Sequence, residues 1–387
     1  MKNTLKVVPL VLSFFCAPAS HAASDARERS LKSAVDAAVQ PLRQQYGVPG
    51  IAVGVTIGGQ HYFYDYGVAS KTSRASVTPQ TLFEVGSFSK TVTATLACYA
   101  AARGALSLSG SATHALPALR GSSLDGVTLL NLGTHTSGLP LFVPDAVTTD
   151  LQLTTFLRDW RPDHRVGTFR RYSNAGIGLL GLIAARSLNG DFDDVVQNQL
   201  LPQLGMTHTY LHVPPAEMKR YAQGYTKDDK PIRLNPGALA SEAYGIRSTT
   251  ADLLRFLDVN LRSVPVAEPL ARAIDCTHTG YFSAGPFVQD LIWEQYPYPV
   301  DLKTLQAGNS PDVIYKAVPA TELSPPLPPQ QDALLNKTGS TNGFSTYAAF
   351  VPARKIGIVI LANKSYPIDA RVTALYRILT SLGASQP

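Results

Sequence analysis

Ser87 and Lys90 stand three residues apart in Glu84-Val85-Gly86-Ser87-Phe88-Ser89-Lys90, at the opening of the most regular helical run of the chain. On a helix that spacing puts both side chains on one face, about a turn apart. A serine hydroxyl is a weak nucleophile until a neighbour takes its proton, and a lysine can take it when burial or nearby cations hold it neutral. Leu82, Phe83, Val85, Phe88, Val92 and Leu96 surround the pair, which argues against an exposed face. Alone, Ser-x-x-Lys is also what a capping serine followed by a surface lysine would give. A second group, Tyr172-Ser173-Asn174, precedes an apolar run at 177–188. A phenol can shuttle a proton if cations lower its pKa, and an amide offers a bound molecule both donor and acceptor. Alone, it could be a tyrosine packed at a helix start with a capping Asn. The third is Lys337-Thr338-Gly339-Ser340, at the start of a strand continuing into Phe344. A lysine and a threonine hydroxyl on a strand edge can bind a carboxylate, and Gly339 lets another backbone approach closely. A nucleotide-binding loop is excluded because residue 331, where it needs glycine, is Gln331.

The elements around these groups suggest how they are held. Leu31, Val35, Val39 and Leu42 line one face of a helix over 31–46, with Pro41 marking strain or an end. Residues 51–57 and 60–67 read as two strands around Gly58-Gly59. Near the other end, 344–351 and 356–362 read as strands, and Val372, Leu375, Tyr376, Leu379 and Leu382 form the stripe of a closing helix. Both ends thus belong to one antiparallel β-sheet flanked by helices, an α/β fold, with a mostly helical domain between them. The expected division is 23–82 with 245–387 for the α/β sandwich and 83–244 for the helical part, the site lying at their interface. Residues 319–329, rich in proline, read as a surface connection or loop. Residues 207–213 alternate like a strand, which would keep His208 and His212 off a common helical face.

Composition narrows the function. The 387 residues are 45% hydrophobic and only 16% charged, which excludes a disordered or coiled-coil chain. The net charge of +6 is not gathered into a basic stripe, so nucleic acid is not an expected partner. Lys2 and Lys6, the apolar run 7–17 and Ser20-His21-Ala22 have the form of a secretory signal peptide ending at residue 22. Its removal takes two lysines and no acidic residue, lowering the charge to +4, and it also takes Cys16. Cys98 and Cys276 remain, with their pairing open. No later stretch is long enough to span a bilayer, so no stable membrane association is expected after cleavage. No zinc-ligand cluster and no dinucleotide fingerprint is present, so neither a metal nor a cofactor is expected.

The order Ser87/Lys90, Tyr172/Asn174, Lys337/Thr338/Gly339 resembles the penicillin-recognising serine enzymes, for which Ser-x-x-Lys and Lys-Thr-Gly are marks. Tyr-x-Asn as the middle element narrows the resemblance to class C (AmpC-type) β-lactamases. It covers almost the whole chain after residue 22, through Thr81-Leu82-Phe83-Glu84, Leu139-Pro140-Leu141, Glu242-Ala243-Tyr244-Gly245, residues 336–343 and Leu361-Ala362-Asn363-Lys364. The resemblance implies a periplasmic, monomeric serine β-lactamase of cephalosporinase type, acting on small-molecule β-lactams through an acyl-enzyme on Ser87. It assigns Lys90 and Tyr172 to proton transfer and the N–H groups of Ser87 and Ser340 to the oxyanion hole. Asn174 would hold the acylamino side chain, Lys337, Thr338 and Arg371 would orient the substrate carboxylate, and Tyr244 would line the side-chain pocket. The alternative on the same scaffold is a D-alanyl-D-alanine peptidase or a related penicillin-binding hydrolase or esterase. Phe142, Ile292, Ser345 and Ile368 depart from the pattern usual in the class and leave the substrate spectrum open.

Overall fold

The computed structural model describes residues 18–384, so the expected signal peptide lies outside the described residues except for its last five. Helix α1 (Pro18–Gln45) begins well before the expected 31, and Pro41 sits inside it, one turn before its end. Leu31, Val35, Val39 and Leu42 are buried as their spacing predicts.

One ten-stranded sheet organises the molecule. Its strands are β1 (Gly50–Ile57), β2 (Gln60–Gly67), β3 (Phe169–Arg170), β4 (Gly280–Ala284), β5 (Phe287–Asp290), β6 (Glu294–Pro297), β7 (Val318–Leu327), β8 (Ala333–Ser340), β9 (Ser345–Val351) and β10 (Ile356–Ala362), in the order β2-β1-β10-β9-β8-β6-β5-β4-β7-β3. All its pairings are antiparallel. Alternation along β10 sends Ile356, Ile358 and Ile360 into one core and Val359 and Leu361 into another. The first core is closed by α1 and the last helix, α8 (Ile368–Ala384), and the second by helices between the two ends of the chain. Both faces are therefore covered, which is why β10 is apolar throughout.

Helix α2 (Ser89–Ala102) carries no charge except Lys90 and is buried along almost its whole length, as suits a helix apolar on every side. It packs against α4 (Asn174–Ser187), α5 (Ala240–Tyr244) and α7 (Glu268–Thr277). Cys98 on α2 and Cys276 on α7 form a disulfide. Helix α6 (Thr250–Asn260) lies on β1 and β10.

Two local expectations are corrected. The proline-rich segment read as a connection is strand β7. Its ladder to β4 runs over Ala320–Glu322 and resumes at Leu327, so Pro325 and Pro326 fall where the register shifts and no N–H is demanded of them. Residues 207–213 form turns held by one bridge, Tyr210 to Arg247, rather than a strand. His208 donates its backbone N–H to Asp252, and His212 pairs with Asp193. Among the described residues no group of side chains could hold a metal ion, and no helix is long and apolar enough to cross a membrane.

Candidate active site

The nucleophile turn and strand β8 are pressed together at two glycines. Ser87 sits in a single 3₁₀ turn, Gly86–Phe88, ahead of α2. Gly86 has φ +53°, and a Cβ on it would lie 2.5 Å from the Ser340 carbonyl oxygen; one on Gly339 would lie 2.0 Å from the Val85 oxygen. Only glycine permits this approach from both sides. Strand β8 pairs with β9 along Leu335–Ser340, but with β6 only along Ala333–Asn336. From Lys337 to Ser340 its other edge is open, as expected. Thr341 donates to the Phe344 oxygen just ahead of β9, and amide direction alternates along a strand, so the Ser340 N–H points away from β9 towards that open edge.

Lys90 is fully buried on the first turn of α2. Its Nζ donates to Ser87 Oγ at 2.9 Å and to the Ala243 carbonyl of α5 at 2.7 Å. Burial pushes its pKa down to about 8; Tyr172 opposes this, and the like charge of Lys337 adds to it. Tyr172 stands over the same point, with the ammonium groups of Lys90 and Lys337 each 5.1 Å from its ring centroid. Burial alone would raise the phenol, but Lys337 first, then Lys90 and a hydrogen bond with Ser87, outweigh it and bring the pKa down to about 8. A hydroxyl is thus flanked by two groups able to exchange a proton near neutral pH.

Asn174 opens α4, but the cap is Ser173, whose Oγ accepts from the Gly176 N–H and donates to the Pro140 oxygen. Asn174 is therefore not consumed by capping; its Oδ1 is buried and unpartnered on the wall of a cavity of about 930 Å³. Ser87, Tyr172, Asn174, Tyr244, Lys337, Thr338, Gly339 and Ser340 all line that cavity, and Phe142, 58% exposed, stands at its mouth. Arg371 is placed elsewhere. It is buried on α8, and its guanidinium donates to the carbonyls of Gly339, Thr346 and Tyr366 and to Ser340 Oγ. Both terminal nitrogens are thus occupied at the end of β8 and its neighbours, and Arg371 is not among the residues lining the cavity.

Three residues not foreseen from sequence complete the surroundings. Glu294 on β6 is buried between Arg170 (3.0 Å) and Lys337 (3.8 Å). Arg170 also donates to Gln289 and to the Val313 carbonyl, and its guanidinium lies 5.4 Å from the Tyr172 ring centroid. His135 also packs against that ring, 4.3 Å between centroids. An acid closing the apolar run Leu291-Ile292-Trp293 is a readable signal, because a buried carboxylate that stays charged needs a cation. Nothing near His135 in the sequence marks it.

A covered antiparallel sheet with a serine, a neutralisable lysine and an acidified tyrosine at one opening defines a serine acyl-transfer site. The family model for beta-lactamase matches residues 35–382, and the chain belongs to that family. It is 51% identical over 357 residues to a beta-lactamase of Lysobacter lactamgenus, covering 91% of this chain and 93% of that one. A beta-lactamase of Providencia stuartii is 47% identical, covering 90% and 91%. A solved class C beta-lactamase in complex with cefoxitin superposes with a TM-score of 0.90 at 52% identity, covering 92% of this chain and 99% of its own. A D-alanine carboxypeptidase from Burkholderia cenocepacia superposes with a TM-score of 0.87, also at 52% identity, covering 91% and 99%. The class C resemblance and the fold expected from sequence are both borne out.

Proposed function

We propose that the protein is an exported serine β-lactamase that hydrolyses the β-lactam amide through an acyl-enzyme on Ser87. The observation that carries this reading is the contact of Lys90 Nζ with Ser87 Oγ beside Tyr172, with both partners titrating near 8. Ser87 Oγ attacks the lactam carbonyl as its proton passes to Lys90 or Tyr172; the same pair delivers a proton to the departing ring nitrogen, breaking the C–N bond. The N–H groups of Ser87 and Ser340 face the developing oxyanion, where one donor is worth about 3–4 kcal/mol in other enzymes. Lys337 and Thr338 hold the substrate carboxylate, and Asn174 and Tyr244 hold the acylamino side chain. Water activated at Tyr172 then cleaves the ester and frees Ser87.

The Cys98–Cys276 disulfide supports an oxidising compartment, and with the leader-like residues 1–22 it favours the periplasm. N-terminal sequencing of the secreted protein is expected to begin at Ala23. The division into a sandwich (23–82 with 245–387) and a helical part (83–244) belongs to the same proposal. The carboxypeptidase neighbour supports a second reading, a D-alanyl-D-alanine peptidase. Mixing the protein with nitrocefin while following intact mass separates the two. Catalytic colour change with a transient adduct, lost in Ser87→Ala, supports the lactamase; a stoichiometric, long-lived adduct overturns it in favour of the peptidase.

A further inference from the structure

His135 follows α3 (Leu129–Gly133) and grips the backbone on both sides of Tyr172. Its carbonyl accepts the N–H of Arg171 at 2.8 Å, and its ring Nδ1 accepts the N–H of Ser173 at 3.2 Å. His135 presents both groups to one segment while holding φ +61°, a left-handed conformation uncommon outside glycine. Its ring then lies against the phenol ring between those two peptides. The neighbouring residues continue the brace: Thr136 accepts from Gly167, Pro140 from the Ser173 hydroxyl and Leu141 from Asn174.

The bond from Ser173 makes Nδ1 an acceptor and so places the ring proton on Nε2, which is buried without a partner. The ring stays in that neutral form. Burial first, then the positive charges of Arg170, Lys90 and Lys337, hold its pKa well below the ordinary histidine value. An imidazolium there would also add a fourth positive charge to Lys90, Lys337 and Arg170 around Tyr172.

We propose that His135 is a positioning residue for Tyr172, clamping the peptides on either side and bracing the ring so that the phenol stays on Ser87 and Lys90. This rests on the proton-transfer role given to Tyr172 above. It predicts that His135 acts on turnover only through the phenol.

The test is a double-mutant cycle on nitrocefin hydrolysis with His135→Ala, His135→Asn and Tyr172→Phe, each checked for folding by its melting curve. His135→Ala is expected to lower kcat between about tenfold and a hundredfold, the larger figure being the cost of misplacing a reacting group by about 1 Å. The acid limb of its pH profile should also shift from that of the parent. His135→Asn keeps an acceptor near the Nδ1 position and tolerates the left-handed backbone, so it should recover most of the loss and restore the limb. In the Tyr172→Phe background, His135→Ala should cost less than about twofold. If it costs the same there as in the parent while Tyr172→Phe is itself slow, the proposal fails and the role of Tyr172 stands. If Tyr172→Phe turns over normally, the role of Tyr172 fails first. Should His135→Ala not fold, a folded His135→Asn with kcat below a tenth of the parent, or with a shifted limb, overturns the proposal.

Discussion

Replacing Lys337 by methionine keeps the apolar stem of the side chain and deletes only its charge. Lys337 is the largest of the charge effects that acidify Tyr172, and its ammonium lies 5.1 Å from the ring centroid. At an effective dielectric constant of about 20, a unit charge roughly 5–8 Å from the phenolate oxygen contributes about 2–3 kcal/mol, or roughly two pKa units. Without it, burial prevails, and the phenol moves from about 8 to near or above its ordinary value of 10.0. Lys90 shifts the same way, because losing a neighbouring cation favours its protonated form. Whichever of the two takes the proton from Ser87 must be unprotonated to do so, and removing the charge raises both. In Lys337→Met the acid limb of kcat/KM therefore moves up by about one to two units. Nitrocefin hydrolysis followed between about pH 5 and 10 reads this directly. Loss of the carboxylate partner raises KM at every pH, so it cannot imitate a moved limb. A folded Lys337→Met enzyme whose limb stays near 8 would refute the electrostatic argument.

Gly339→Ala places a Cβ 2.0 Å from the Val85 oxygen and 2.9 Å from the Phe88 nitrogen, forcing β8 off the nucleophile turn. Turnover is expected to fall about a hundredfold or more, and parental kcat would show that the oxyanion site is not built between these segments. Replacing Cys98 and Cys276 by serine frees a loop closed over 178 residues, with an upper figure of about 5 kcal/mol from unfolded-state entropy. Urea titration should show this as a lower midpoint with kcat unchanged at 25 °C; an unchanged midpoint refutes it. Asp290 is fully buried with both carboxylate oxygens unpartnered, and burial raises its pKa well above the usual range. The folded state therefore keeps a proton that the unfolded state releases, so stability is full below about pH 3.9 and declines as pH rises. Asp290→Asn should raise Tm at pH 8 and not at pH 3.5; a gain equal at both would remove the linkage.

What could be read from sequence and what could not differ in range. Ser87 and Lys90 lie on one turn, and Tyr172 and Asn174 two residues apart, so local spacing was enough to group them. The strands around Val53 and Ile360 were legible because their apolar runs are bounded by turn residues. The misreadings arose where tertiary pairing overrides composition: Pro325 and Pro326 are tolerated because a register shift excuses their missing N–H. The alternation at 207–213 packs against Arg247 and Asp252 without a ladder. Arg371 shows the limit most sharply. A cation seven residues past Lys364 looks free to meet a substrate, and only the fold reveals the three carbonyls and the hydroxyl to which it donates. The Cys98–Cys276 pairing and the packing of His135 against Tyr172 are likewise contacts between distant segments, on which spacing is silent.

The pairing of β1 with β10 sets a schedule for folding. Gly50 donates its N–H to the Asn363 side chain across 313 residues, and closing a loop of that length costs about 5 kcal/mol before any contact repays it. At ribosomal rates of about 5–20 residues per second, β1 waits roughly 15–60 s for its partner to be made. Until then the middle of the sheet is missing, and α1 and α6 have no complete surface to cover. Such high contact order makes the final collapse late and slow. A chain delayed in this way stays threadable while it is being synthesised, and it commits to its native form only after its last strand has arrived.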